Sequence, residues 1–246
     1  MVSNFKVISQ EMFEKGQIDV NIYSEGLVII WDKETGCTSH DVVARVRKQI
    51  TLRSGFKIKI GHAGTLDPLA TGLLILLIGK ATKVQVDYMG MDKEYVAEMI
   101  LGYVSDTYDV DGKVVQQQDW DKKFTKIEDV KNLLKEKIKL FVGEISQTVP
   151  IYSAVKVRGK KLYQYARSGG EIILPIRKVT ISNIEILDVS KVDNLWDEGR
   201  VYKIKMRVNC SSGTYIRSLV HDLGQEMGCG GIVCALRRIA IGGYYL

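Results

Sequence analysis

Hydrophobic and polar positions along this chain follow two different periods. Residues 26–31 (GLVIIW) form an apolar run that predicts a strand. A turn at Gly36 follows, and Thr38-Ser39-His40-Asp41 has the hydroxyl-to-acid spacing of a capping box. Val42, Val43, Val46 and Ile50 then recur at helical spacing. Residues 73–78, bounded by Gly72 and Gly79, are apolar throughout and predict a fully buried strand or short core segment. A second box, from Thr125 to Glu128, should open a helix carrying Ile127, Val130, Leu133, Leu134 and Ile138. Residues 95–101, 181–189 and 202–210 read as strands. The last sets Tyr202, Ile204, Met206 and Val208 on one face against Lys203, Lys205 and Arg207 on the other. A helix is expected from Tyr215 through Gly224, ending near Gly228, Gly230 and Gly231.

Strands and helices are interspersed without strict β-α-β alternation. That predicts an α+β protein, a mixed and largely antiparallel central sheet with flanking helices, over a doubly wound parallel fold. Residues 1–25 read as an N-terminal extension and residues 26–246 as the domain proper.

Composition narrows the class. Of 246 residues, 46% are hydrophobic and 26% charged, the ordinary balance of a globular protein. The net charge of +6 is compatible with nucleic acid, which rewards Lys and Arg through phosphate contacts, but many globular proteins are this basic. Cys37, Cys210, Cys229 and Cys234 lack the close spacing of a zinc knuckle, and no histidine stands beside them, so free thiols are expected and no metal. The first residues are mixed and polar, unlike a secretory segment, and the longest apolar run is too short to cross a bilayer. A cytoplasmic protein is expected.

Candidate chemistry is densest at residues 61–72 (GHAGTLDPLATG), where glycines, a histidine, a threonine and a proline surround one acid, Asp67. Such a loop can adopt unusual backbone angles and bring its main chain close to a ligand. Pro68 pushes Asp67 towards an extended conformation. On these residues alone, Asp67 fits a turn cap as well as a catalytic acid. A phosphate-cradling loop at Gly79-Lys80 is excluded by its spacing and by Ala81, where a magnesium-binding hydroxyl should stand. His62 has no second ligand at suitable spacing, so it reads as a hydrogen-bonding loop residue or an RNA contact.

Taken whole, the segment resembles the TruB family of pseudouridine synthases, which carry Gly-His-x-Gly-x-Leu-Asp-Pro-x-Ala-x-Gly. The resemblance runs in order from about Gly26 to Ile239. It takes in Asp32-Lys33 with Gly36 and Thr38-Ser39, then GKATK at residues 79–83 and Lys93-Glu94-Tyr95. It continues through DTYDVDG at 106–112, YSAVKVRGKKLYQYAR at 152–167, Ser212-Gly213-Thr214-Tyr215-Ile216-Arg217 and Leu236-Arg237-Arg238. Glu34 stands where the family has proline, and is expected to loosen one turn without touching the chemistry.

The resemblance implies a pseudouridine-synthase fold with a thumb-like RNA-gripping segment at about residues 145–172. It implies that a uridine is flipped out and isomerised, most simply uridine 55 in the T arm of transfer RNA. Asp67 would be the catalytic carboxylate, attacking C1′ or removing a proton from C2′. Arg217 would be the cation that keeps it ionised, and Tyr95 would stack on the base. Leu236 would wall the pocket, although plain core packing describes it equally well. His62, Lys83, Tyr215, Asp109, Lys156, Arg158, Lys160 and Lys161 are the further candidates for binding substrate, with Arg237 and Arg238 as lesser ones. The basic stretch interleaved with Tyr152, Tyr163 and Tyr165 can grip RNA or be a solvated loop.

No cofactor, no membrane contact and no obligatory protein partner are implied, and a monomer is expected. Many relatives continue into a C-terminal RNA-binding domain, which is expected to be absent here. Two other functions stay in view. One is a guide-RNA-dependent synthase. The other is a catalytically silent RNA-binding chaperone.

Overall fold

The computed structural model describes residues 5–118 and 126–246. The chain forms two compact units, one from Met1–Tyr95 with Leu236–Leu246 and the other from Val96–Ala235. In chain order the first holds β1 (Lys6–Ser9), α1 (Gln10–Glu14), α2 (Ile22–Glu25), β2 (Leu27–Lys33), α3 (Ser39–Ser54), β3 (Ile60–His62), β4 (Thr71–Ile78) and α4 (Gln85–Gly90). β5 (Lys93–Leu101) leads into the second, followed by β6 (Tyr103–Ser105), β7 (Val114–Gln116), α5 (Ile127–Ile138) and β8 (Gly143–Thr148). Then come β9 (Lys156–Val157), β10 (Lys160–Lys161), α6 (Leu162–Ser168), β11 (Ile176–Asp193), β12 (Arg200–Cys210) and α7 (Ile216–Glu226). β13 (Gly231–Ile241) carries the chain back to the first unit, where β14 (Tyr244–Tyr245) pairs with it.

In the first unit β4 is central because its side chains are apolar on both faces. Leu74, Leu76 and Ile78 pack with Leu27, Ile29, Trp31 and the buried face of α3. Leu73, Ile75 and Leu77 pack with Val28, Ala81, Tyr88 and Ile241. Each such leucine or isoleucine contributes roughly 1.5–3 kcal/mol by leaving water. β2 runs antiparallel along β4 from Leu27↔Ile78 to Lys33↔Gly72. A strand has only two edges, so β3 and β13 share the other. β3 pairs antiparallel at Ile60, Gly61 and His62, and β13 pairs parallel through Arg237↔Thr71 and Arg238↔Gly72. The chain between β3 and β4 therefore leaves one neighbour of β4 and returns at the start of β4, beside β13. That is where Asp67 lies.

α3 starts as its sequence predicts. Thr38 Oγ1 accepts from the Asp41 amide at 3.1 Å, and the Asp41 carboxylate accepts from the Thr38 amide at 2.8 Å. Its Val42, Val43, Val46 and Ile50 are buried. Residues before Gly26 differ from expectation. β1 lies parallel to β2, and Phe13 and Tyr23 are buried in the core it shares with α3, so residues 5–25 form part of this unit. Elements of four or five residues carry too little periodicity to stand out, and a parallel partner is not announced by a hairpin turn.

In the second unit the strands lie in the order β13-β5-β12-β11-β8, with β11 antiparallel to both β12 and β8. Tyr202, Ile204, Met206 and Val208 are all fully buried, as the alternation predicts. α5 buries Val130, Leu134 and Ile138. It begins at Ile127 with Lys126 as its N-cap and no capping side chain. Thr125, expected to form the box, lies outside the described residues. Parallel and antiparallel pairs coexist, which makes the architecture α+β with a mixed sheet.

Candidate active site

Asp67 is partly exposed on a loop whose polar backbone is held from below and from both sides. Ser39, buried at the start of α3, accepts from the Leu66 amide at 2.8 Å and donates to the Leu66 carbonyl at 3.2 Å. The Asp67 carbonyl accepts from the Ala70 amide at 3.0 Å, closing a turn, and the Pro68 carbonyl accepts from the Gly36 amide at 2.9 Å. Lys33 is fully buried at the end of β2. Its ammonium donates to the carbonyls of Cys37 at 2.7 Å, Glu34 at 2.8 Å and Pro68 at 3.4 Å. Burial pushes the Lys33 ammonium below its ordinary pKa, while the charges of Cys37 and Asp67 pull it back up. The turn at Glu34, expected to be looser than one with proline, is pinned by that same ammonium.

Arg238 was a candidate for gripping RNA, but the structure removes it from that role. It is 1% exposed, and its guanidinium donates to the Leu73 carbonyl at 2.8 Å and the Gly64 carbonyl at 3.1 Å. Arg237, its exposed neighbour, forms a fork with Asp32 at 3.0 and 2.7 Å, which leaves it at the surface. Leu236 is buried, with its carbonyl accepting from Thr71 Oγ1 at 3.4 Å. His62 ends β3, and its carbonyl accepts from Gln85 Nε2 at 2.8 Å. Burial, reinforced by the Arg238 charge, holds its imidazole below the ordinary pKa and hence neutral near pH 7. Tyr95 is buried on β5. Lys83 is exposed on a turn after β4 and lines an open hollow with Lys57, Lys59 and Lys80.

Arg217 occupies the first turn of α7, in the second unit. It is 5% exposed. Its Nη1 donates to the Thr107 carbonyl at 2.7 Å, its Nη2 to the Tyr152 carbonyl at 3.0 Å, and its Nε lies 3.6 Å from the Asp109 carboxylate. Asp109 accepts in turn from Thr107 Oγ1 at 2.5 Å and from the Asp111 amide at 3.1 Å. Burial raises the Asp109 carboxyl above the ordinary carboxylate range, against the Thr107 bond and the Arg217 charge. Asp109, expected to bind substrate, is thus engaged with Arg217. Tyr215 precedes α7, and the buried Gln147 amide brackets it, donating to its carbonyl at 3.0 Å and accepting from its N–H at 2.8 Å.

Tyr108, between Thr107 and Asp109, has a positive φ of 64° and stacks on His221 with ring centroids 4.0 Å apart. Lys156, Arg158, Lys160 and Lys161 fall on the β9–β10 hairpin. Its turn uses consecutive positive φ at Arg158 and Gly159, the geometry that matches strand twist. Lys161 and Arg167 both lie over the Tyr163 ring, at 5.6 and 5.4 Å from its centroid.

Sequence reasoning gave no individual role to Lys33, Ser39, Gln147 or Thr107, and missed Lys57 and Lys59. Lys33 and Thr107 lay inside recognised motifs. Nothing in the pattern marked Gln147, one of several polar residues on an edge strand. Among the described residues no cluster of three or more His, Cys, Asp or Glu could hold a metal, and no helix is long and apolar enough to cross a membrane.

Comparison with known proteins identifies the family. The model of the TruB family pseudouridylate synthase N-terminal domain matches residues 48–216, and that of the tRNA pseudouridylate synthase B C-terminal domain matches residues 217–245. The tRNA pseudouridine synthase B of Endomicrobium trichonymphae is 43% identical over 218 residues, covering 87% of this chain and 84% of that protein. That of Fusobacterium nucleatum subsp. nucleatum is 40% identical over 222 residues, covering 90% and 69%. Among solved structures, a Cbf5-Nop10-Gar1 complex matches with a TM-score of 0.61 and 31% identity over 94% of this chain. An H/ACA RNP bound to a substrate RNA matches with a TM-score of 0.59 and 27% identity. This chain spans about half the length of those two solved chains. The fold is that of the pseudouridine synthases, and the chain belongs to the TruB family of pseudouridylate synthases.

Proposed function

We propose that this protein converts a uridine in the T arm of transfer RNA, uridine 55, to pseudouridine, with Asp67 as the catalytic carboxylate. The reaction breaks the N1–C1′ bond and forms a C5–C1′ bond. C5 loses a proton and N1 gains one, so atoms and charge balance without a redox partner or cofactor. The target must leave the base stack before a side chain can approach its ribose. Asp67 acts from the ribose side, on C1′ as nucleophile or at C2′ as base, and either route needs it ionised. Arg217 is the cation the family resemblance assigns to that task, and Tyr95 and Leu236 are assigned to the base. The hairpin lysines, Arg158 and Lys83 meet phosphates, as their exposure allows. The protein works in the cytoplasm without an obligatory partner.

The observation that carries this reading is the loop itself. A partly exposed acid stands on a backbone fixed by the buried donors Lys33, Ser39 and Arg238, the arrangement expected where an acid must hold one position during chemistry. The 40–43% identity to relatives named tRNA pseudouridine synthase B supports the choice of substrate. The likeness to H/ACA particles favours a guide-dependent enzyme instead, but at 27–31% identity.

One experiment decides. Purified protein is incubated with a bare tRNA transcript, and pseudouridine is mapped. Product at the T-arm uridine is expected. Asp67→Asn and Arg217→Met should each lower turnover by at least about 1,000-fold, with RNA affinity within about threefold. Product only after a guide RNA and partner proteins are added would establish the guide-dependent reading. Tight binding with no product under either condition would establish a silent chaperone.

A further inference from the structure

We infer that Arg238 is a positioning residue for Asp67: its guanidinium ties together the two limbs of the catalytic loop and so fixes where the carboxylate stands. This rests on the reading of Asp67 as catalytic.

Arg238 is buried in β13, and its two side-chain hydrogen bonds end on backbone either side of Asp67, one on Gly64 in the loop and one on Leu73 in β4. Gly64 lies before Asp67 and Leu73 after it, so one planar group spans the segment. Among the described residues Arg238 has no carboxylate partner. A buried guanidinium without a counter-ion is costly, and an aliphatic side chain would fill the space at lower cost. What an aliphatic side chain cannot do is donate to two carbonyls at once in a fixed plane.

The loop's glycines are fitted to this residue. At Gly72, with φ of 99°, a Cβ would stand 2.2 Å from the Arg238 carbonyl oxygen. At Gly64, with φ of 92°, a Cβ would stand 3.3 Å from Arg238 Nη1. Backbone and side chain of one residue thus determine the path of both limbs. The uncompensated charge also acts on its surroundings, since it helps to lower the pKa of both Lys33 and His62.

The test compares wild type, Arg238→Gln, Arg238→Lys and Gly64→Ala in the full chain. Single-turnover rate on tRNA, RNA dissociation constant and Tm are measured for each. Arg238→Gln should lose about 100-fold in rate, the scale of an ångström-sized misplacement, with RNA affinity within about threefold. Arg238→Lys, which keeps a charged donor, should recover part of the rate at the same affinity. If Arg238→Gln does not fold, Gly64→Ala decides, because it crowds the guanidinium by a few tenths of an ångström while retaining it. A lowered rate at unchanged affinity then supports the inference. A folded variant with a normal rate, or one whose rate falls only with affinity, overturns it. Absence of product from wild type would instead refute the reading of Asp67.

Discussion

The loop that carries Asp67 and the seat that holds Arg217 solve the same problem with charges reversed. Asp67 is an acid, and beside Ser39 the side chains that fix its loop are the buried cations Lys33 and Arg238, each donating to a loop carbonyl. Arg217 is a cation, and its seat is made of acceptors: two backbone carbonyls and the Asp109 carboxylate. In each region the supports that set the position of the functional group also carry the sign of field that stabilises its charged form. Positioning and electrostatics are therefore one device in each region.

The two regions differ in how they handle left-handed backbone. The Asp67 region uses glycine at Gly64 and Gly72, and at Gly72 a Cβ would strike the Arg238 backbone. The Arg217 seat puts Tyr108 in the same conformation, a strain of roughly 1–2 kcal/mol. A side chain is needed at Tyr108, since its ring stacks on His221 and its backbone pairs with Val233. Strain is accepted where the side chain has a partner, and glycine is required where backbones touch.

Gly72→Ala breaks the first half of this comparison most severely. Its Cβ would overlap the Arg238 carbonyl in the β4–β13 pair, and positive φ adds strain. A loss of at least about 4 kcal/mol is expected, seen as a lowered denaturation midpoint or failure to express in folded form. Stability within 1 kcal/mol of wild type would show that the strand pair can open to admit a methyl group.

The second half is sharpened by Gln147→Ala. Gln147 acts as a short strand, exchanging two hydrogen bonds with the Tyr215 backbone just before α7. Removing it leaves the part-buried Tyr215 N–H without that partner, while the Tyr215 carbonyl keeps its bond from the Leu219 amide, at about 1–3 kcal/mol. Gln147→Glu keeps an acceptor for the Tyr215 amide but sets a carboxylate against its carbonyl, so it should not restore stability. If Glu restores it fully, Gln147 serves only to fill space.

Much of this organisation was legible in the chain. The capping box at Thr38, the apolar run of β4 and the alternation of β12 each depend on neighbours in sequence, and each appears where the pattern puts it. The Asp67 loop stood out by its composition. β1 and the inward-facing Arg238 did not, because both depend on partners remote in sequence. β1 is defined by pairing parallel to β2 and β13 by pairing parallel to β4. An arginine in a strand reads as an outward charge until the carbonyls it faces are known. Gln147 was invisible for the same reason, as its partner is the backbone before α7.

The mildest prediction concerns α7, which carries Arg217. Asp222 follows His221 on that helix, and burial raises its carboxyl pKa to about 6 from its ordinary 3.8. In the folded state it binds a proton that the unfolded chain has released between those values. Its contribution to stability is fully present below about pH 4 and is lost as pH rises through about 6. His221 has the opposite sign: burial lowers its pKa, so its contribution is lost as pH falls. The wild-type slope is a difference between the two, and Asp222→Asn isolates one of them. That variant should gain about 1–2 kcal/mol at pH 8, where wild type carries a poorly solvated charge, and should gain little at pH 4. Urea melts across this range would measure it. An equal effect at both pH values would mean that Asp222 matters through its shape and hydrogen bonds and that its charge is not what burial penalises.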